Sequence, residues 1–400
     1  MMYNSGNTLL MTNQFLILLT LFLVIYSELW ETHFKQILIV FGVLFIFFLN
    51  AILLHEDFPN QYDFTFIQRY FAYALIAFSV IKIMGIDFFF IFEKIFYHLT
   101  VIGLILFGIQ LFFPNLIFSI VSIGEKLIGF VGYNKNLSIK YSSMLIYTYN
   151  ESISFIEGHR NCSYFYEPGY YALHIVIVLM ISLLKNRLVL NRRHIIYTIA
   201  LFTTMSTTGL IGFVFVILFY VFNQPKKKYR YLSSILAIPV IIAIVLMPIV
   251  YEKTYDDIMN IKGLMSYASG IVETGGYYSL GRFAAIFFAY ISIIDLSPFF
   301  GIFRTPDEIS KGFFLVNGFA TTLISFGFIG ILLMLVGLYR SARLIVYYEH
   351  NYKYSVFFFI ILVISNFGFI FQMSLIFWIF YFYFLAGVSP INTIDAKQKI

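Results

Sequence analysis

Arg160 and Glu167 stand in the polar run Glu157-Gly158-His159-Arg160-Asn161-Cys162-Ser163-Tyr164-Phe165-Tyr166-Glu167-Pro168-Gly169-Tyr170-Tyr171-Ala172, which ends where a long apolar segment begins. Three more polar elements lie next to apolar stretches. Ser206-Thr207-Thr208-Gly209 interrupts the run 194–223. Gly281-Arg282 opens the stretch 283–296. Pro298-Phe299-Phe300-Gly301 is followed by Arg304, Lys311 and Asn317-Gly318 ahead of another apolar run. Ionisable groups beside apolar spans are costly, which makes each a candidate for function. Guanidinium groups suit anions, phosphate above all, and a carboxylate suits proton handling. Each group also has a plainer reading. Glu167 is placed to cap a helix with Arg160 as its partner, and Arg282 to snorkel at a helix end. Arg304 and Lys311 are placed to anchor on lipid headgroups, and the hydroxyls of 206–208 to satisfy freed backbone.

Other chemistries lack their residues. The chain has no Gly-rich phosphate loop, no HExxH, no paired-aspartate metal motif and no Ser-His-Asp order. Its one cysteine, Cys162, excludes an intrachain disulfide and cysteine-rich zinc sites. No metal and no cofactor is expected.

The elements that must hold these residues are membrane helices. The chain of 400 residues is 60% hydrophobic and only 12% charged, against about 45–50% and about 25% for soluble domains. Its mean hydropathy is +0.87. So much apolar surface needs lipid as its solvent. The expected fold class is all-α: a polytopic integral membrane protein, one membrane domain over 1–400. Apolar runs fall at 10–27, 37–54, 66–82, 95–113, 168–185, 194–223, 231–250, 316–338, 354–370 and 372–388. The N-terminus lacks the marks of a cleaved signal peptide, so the first run is expected to remain as a helix. The net charge of +6 fits basic cytoplasmic loops rather than nucleic-acid binding.

The basic clusters Lys185 to Arg193, Lys226 to Arg230, and Arg340 with Arg343 are expected in the cytoplasm. Both ends of 194–223 then lie inside, so this run must enter the membrane and return, with its break at 206–209. The same parity puts two larger loops outside, 114–167 and 251–315. N-terminal helices fill 1–113, central helices 168–250 and C-terminal helices 316–388. The total is about 11 or 12 spans, according to whether 115–131 crosses or lies in the interface.

The pattern Arg160…Glu167-Pro168-Gly169-Tyr170-Tyr171-Ala172 at the mouth of a span resembles the central motif of O-antigen polymerases. The order of the later motifs is similar to that of the O-antigen polymerase and ligase superfamily. They are the Ser-Thr-Thr-Gly break, Gly281-Arg282, the Pro-Phe-Phe-Gly turn, Asn317-Gly318 and Leu323-Ile324-Ser325-Phe326-Gly327-Phe328-Ile329-Gly330. The resemblance covers about 155–340. Ligases of this superfamily commonly carry His-Asn before the late span; here the pair reads Val316-Asn317, which favours a polymerase.

The resemblance implies a metal-independent glycosyltransferase of the cell (inner) membrane. Its substrate would be an oligosaccharide on undecaprenyl diphosphate, and its product O-antigen, capsule or exopolysaccharide. Arg160 and Arg282 would stabilise the leaving diphosphate, and Glu167 would take a proton or orient an arginine. His159, Tyr170, Ser206, Thr208, Arg304, Lys311 and Asn317 would bind substrate. A flippase and a chain-length regulator of the same pathway are the implied protein partners. The alternatives are a ligase-type transferase and a flippase of the lipid-linked sugar, which would carry its charges inside the spans and show two similar halves.

Overall fold

The structure is a computed structural model. It describes residues 29–54, 61–117, 131–134, 139–143, 147–150, 160–165, 167–224, 237–242, 278–279, 282–294, 296–302, 313–314, 317–347, 353–368 and 374–385, with a few isolated positions besides. The expected runs 10–27 and 231–250 lie largely outside these residues. His159, Arg304, Lys311 and the cluster 226–230 lie outside them altogether.

Helices carry the chain. They are α1 (Leu29–Leu54), α2 (Gln61–Met84), α3 (Asp87–Phe112), α4 (Pro168–Lys185), α5 (Arg192–Thr203), α6 (Thr207–Phe222), α7 (Arg282–Ile294), α8 (Gly318–Tyr347), α9 (Lys353–Gly368) and α10 (Leu375–Phe382). Among the described residues three are long and apolar enough to cross a membrane: Asp87–Phe112, Pro168–Lys185 and Gly318–Val346. Short strands add to the all-α expectation in the two stretches between helical groups. β1 (Val131–Asn134), β2 (Ile139–Ser143) and β3 (Thr148–Asn150) form an antiparallel sheet. β4 (Tyr278–Ser279) pairs in parallel with β5 (Phe313–Phe314).

The chain divides into two compact units. One holds residues 1–12, 89–252 and 360–369; the other holds 13–88, 253–359 and 370–400.

In the first unit α4 is the central helix, apolar on every side and buried along almost its whole length, as expected of a helix with no solvent face. Small residues let α6 come close. A Cβ at Gly209 would lie 2.5 Å from the Ala172 Cβ, and one at Gly212 would lie 3.0 Å from a Val176 methyl. Such close backbone approach holds helices together where lipid leaves no hydrophobic drive between them.

The other ends of α4 and α5 are tied to α3 by a buried carboxylate. Glu93 is fully buried and takes both hydrogen bonds from Arg193 Nη1, at 2.9 and 3.2 Å. Lys185 Nζ lies 3.7 Å away, and Tyr197 donates to the Glu93 backbone carbonyl at 3.0 Å. Removing one partner of a buried pair leaves the other charge uncompensated. Arg193→Ala is therefore expected to lower stability in detergent by about 3 kcal/mol, read as a fall in melting temperature. An unchanged melting temperature would show that Lys185 alone suffices for Glu93.

In the second unit Ala284, Ala285, Phe288, Ala289 and Ile293 of α7 pack on Ala320, Leu323 and Ile324 of α8. α8 is broken at Gly327, with φ 61° and ψ −162°. The turn at Pro298–Ile302 fills the break. Phe328 N–H donates to Pro298 O at 2.9 Å and Ile329 N–H to Phe299 O at 3.0 Å; Ile302 N–H returns a bond to Ile324 O at 2.8 Å. Asn50 of α1 fastens the turn, donating to Ser297 Oγ and Gly301 O. Phe47, Phe326, Tyr70 and Trp378 form an edge-to-face aromatic chain in that order.

Candidate functional site

The run 194–223 is two helices, and the non-helical residues are Thr204–Ser206, slightly ahead of the expected 206–209. Ser206 is the N-cap of α6 and its Oγ accepts from Gly209 N–H at 3.2 Å, so Thr207–Gly209 form the first helical turn. Met205 has φ 47°, a left-handed conformation that a non-glycine residue adopts only where its surroundings impose it.

The segment Arg160–Ser163 imposes it. The last carbonyls of a helix lack internal donors, and here neighbouring side chains and backbone supply them. Asn161 N–H donates to Thr203 O at 3.0 Å. Arg160 Nε donates to Thr204 O at 2.9 Å and its Nη2 to Met205 O at 3.1 Å. Asn161 is fully buried; its Nδ2 donates to Thr203 Oγ1 and its Oδ1 accepts from Ser163 N–H. A cation at a helix C-terminus also meets the negative end of the helix dipole.

This corrects the plain pairing read from the sequence. Arg160 does not pair with Glu167, and among the described residues no carboxylate pairs with it. Glu167 does occupy the N-cap position of α4, with Pro168 in the first turn, but its carboxylate makes no capping bond. A Cβ at Gly169 would stand 3.5 Å from Glu167 Oε1 and 3.7 Å from Ser206 Oγ. The carboxylate of Glu167 and the hydroxyl of Ser206 both approach Gly169, and Ser206 follows Met205, whose carbonyl holds Arg160. The half-exposed guanidinium bonds neutral carbonyls, so these partners do not offset its charge.

The other first-unit candidates have narrower roles. Tyr170 packs edge-to-face on Phe165 and His174, with centroids 5.0 and 4.5 Å apart. Thr208 is buried against Gly368 of α9, which makes it a packing residue. Burial pushes the Tyr164 hydroxyl well above the ordinary tyrosine range, and Tyr171, Tyr197 and Tyr170 add to that, so Tyr164 stays neutral.

In the second unit β4 and β5 pair just ahead of Arg282 and Asn317. Asn317 is fully buried and joins the two helix starts. Its Oδ1 accepts from Phe319 and Ala320 N–H at 2.8 and 3.2 Å, and its Nδ2 donates to Arg282 O at 2.8 Å. Asn317 is thus a cap and a strut for the backbone of Arg282. Among the described residues no three His, Cys, Asp or Glu side chains lie close enough together to hold a metal ion.

Asn161, Thr203 and Glu93 were missed in the sequence. Only the Asn in a short polar run offered a signal, since Asn readily bonds local backbone. No protein-family model, curated protein or solved structure matches the chain.

Proposed function

We propose that the protein is a multi-pass glycosyltransferase of the cell (inner) membrane. It polymerises undecaprenyl-diphosphate-linked repeat units into a surface polysaccharide on the extracytoplasmic face. The observation that supports this most is Arg160: a guanidinium held in a fixed orientation by two carbonyls, one of them that of the residue before Ser206, with its charge unneutralised by any described carboxylate. The chain would cross the membrane about 11 or 12 times, with 114–167 and 251–315 outside.

In this reading a hydroxyl of one lipid-linked repeat attacks the anomeric carbon of the growing glycan. An oxygen–carbon bond forms, the bond from that carbon to the diphosphate breaks, and its electron pair leaves on the diphosphate. The hydroxyl proton passes to the Glu167 carboxylate. Negative charge grows on the leaving group, where a preorganised cation helps most. Arg160 serves this role because a guanidinium presents several parallel donors and retains its charge. Arg282, its backbone fastened by Asn317, is a second candidate cation, tested separately.

Deleting the gene is expected to leave surface glycan at a single repeat unit on a ladder gel. The wild-type gene should restore the ladder, and Arg282→Ala should restore it poorly although the protein inserts. Repeat units trapped on the cytoplasmic face would instead indicate a flippase, and an unchanged ladder would end the glycan reading.

A further inference from the structure

We propose that the turn joining α4 to α5, residues 185–193, binds the phosphate headgroups of anionic membrane lipids. This turn lies at the far end of α4 from Arg160. α4, of 18 residues, is about 27 Å long at about 1.5 Å per residue, so the turn reaches the headgroup level opposite to that of the start of α4.

Four cations gather there: Lys185, Arg187, Arg192 and Arg193. Glu93 is their only acidic partner among the described residues, and it is taken by Arg193 and Lys185. Arg187 and Arg192 are exposed and no described carboxylate pairs with them. Arg192 and Arg193 also stand in the first turn of α5, which has no acidic residue. A helix N-terminus repels cations and attracts anions. Arg193 is relieved by Glu93; Arg192 is left facing outward from a position that an external anion would relieve.

The turn is built to present these groups. Arg187 and Leu188 both adopt positive φ, 51° and 61°, although neither is glycine. Leu188 is buried and its N–H donates to Leu183 O at 2.9 Å, and Asn191 caps α5 through Arg193 and His194 N–H. Those contacts hold the strained backbone in place. The outcome is that Val189 and Leu190 project as an apolar tip, 65% and 56% exposed, between the two basic arms. A free phosphate has no use for that tip. A lipid uses both parts: its phosphate meets the arginines and its acyl chains meet the two aliphatic side chains.

The test uses the full-length protein, purified in detergent, stripped of lipid and titrated in native mass spectrometry. The probes are phosphatidylglycerol, phosphatidylcholine and glycerol phosphate. Retention of phosphatidylglycerol well above the other two is the expected result. Arg187→Gln with Arg192→Gln should weaken it about 25-fold, from about 1 kcal/mol per cation near an anionic surface. Val189→Ser with Leu190→Ser should weaken phosphatidylglycerol and leave glycerol phosphate unchanged. Equal retention of phosphatidylcholine, equal retention of glycerol phosphate, or undiminished phosphatidylglycerol binding in the arginine variant would each overturn the proposal. Should the double variant melt early in lipid-free detergent, Arg192→Gln alone, a change at one exposed side chain, is expected to give about a fivefold loss. Undiminished binding in that single variant would overturn the proposal equally.

Discussion

Replacing Arg160 with alanine is expected to collapse the polysaccharide ladder to one repeat unit, with turnover down about 100- to 1000-fold, as when one preorganised donor to a developing charge is removed. The structural cost should be smaller. The side chain is half-exposed, so the carbonyls of Thr204 and Met205 regain water when it goes. Hydrogen bonds from a charged group contribute about 1.5–3 kcal/mol each, and resolvation returns much of that. The melting temperature in detergent should therefore fall by only a few degrees while the ladder disappears. Arg160→Lys separates charge from geometry. An ammonium carries the charge but cannot bridge both carbonyls through Nε and Nη2 in one plane, so it should recover only a small part of the activity. Full activity in Arg160→Lys would show that a point charge suffices and that the held fork is irrelevant. A normal ladder in Arg160→Ala would remove this residue from the mechanism.

Legibility in the sequence depended on how local each cause is. Pro168 marked the start of α4 because a missing N–H is harmless only in a first turn, and Pro168 is the first residue of that helix. The polar Ser-Thr-Thr-Gly stretch revealed that 194–223 must break. Its position was offset because Ser206 caps Gly209 N–H and draws the following residues into α6. The partners of Arg160 were hidden for a different reason. Backbone carbonyls have no signature in a sequence, so the visible carboxylate of Glu167 looked like the natural mate. Glu93 was equally silent, an acid within a phenylalanine-rich stretch whose partner Arg193 lies 100 positions on. The short strand β2 did carry a signal, the period-two alternation Leu137-Ser138-Ile139-Lys140-Tyr141-Ser142, which went unread between the longer apolar runs.

Gly327→Ala is expected to be the most damaging small substitution in the second unit, because the break in α8 also escaped the apolar pattern and depends on a glycine. Its φ of 61° with ψ of −162° lies in a region open essentially to glycine alone. A Cβ there would fall on the carbonyl carbon and oxygen of Phe299 and 2.6 Å from Gly301 N. All three atoms are backbone, so no rotamer change relieves the clash. Moving the turn aside would break the bonds from Phe328, Ile329 and Ile302 and leave their polar groups unpaired among apolar side chains. One such group costs about 1–3 kcal/mol, and backbone strain adds about 1–3 kcal/mol. The sum of several approaches the whole stability of a typical domain, about 5–15 kcal/mol. Gly327→Ala should therefore fail to accumulate in the membrane. Gly42→Ala in α1 is the matched control. A Cβ there meets nothing within 4 Å, and alanine favours a helix by about 1 kcal/mol over glycine, so this variant should accumulate and melt at or above the wild-type temperature. If both variants behave alike, the turn at 298–302 is not what closes the break in α8.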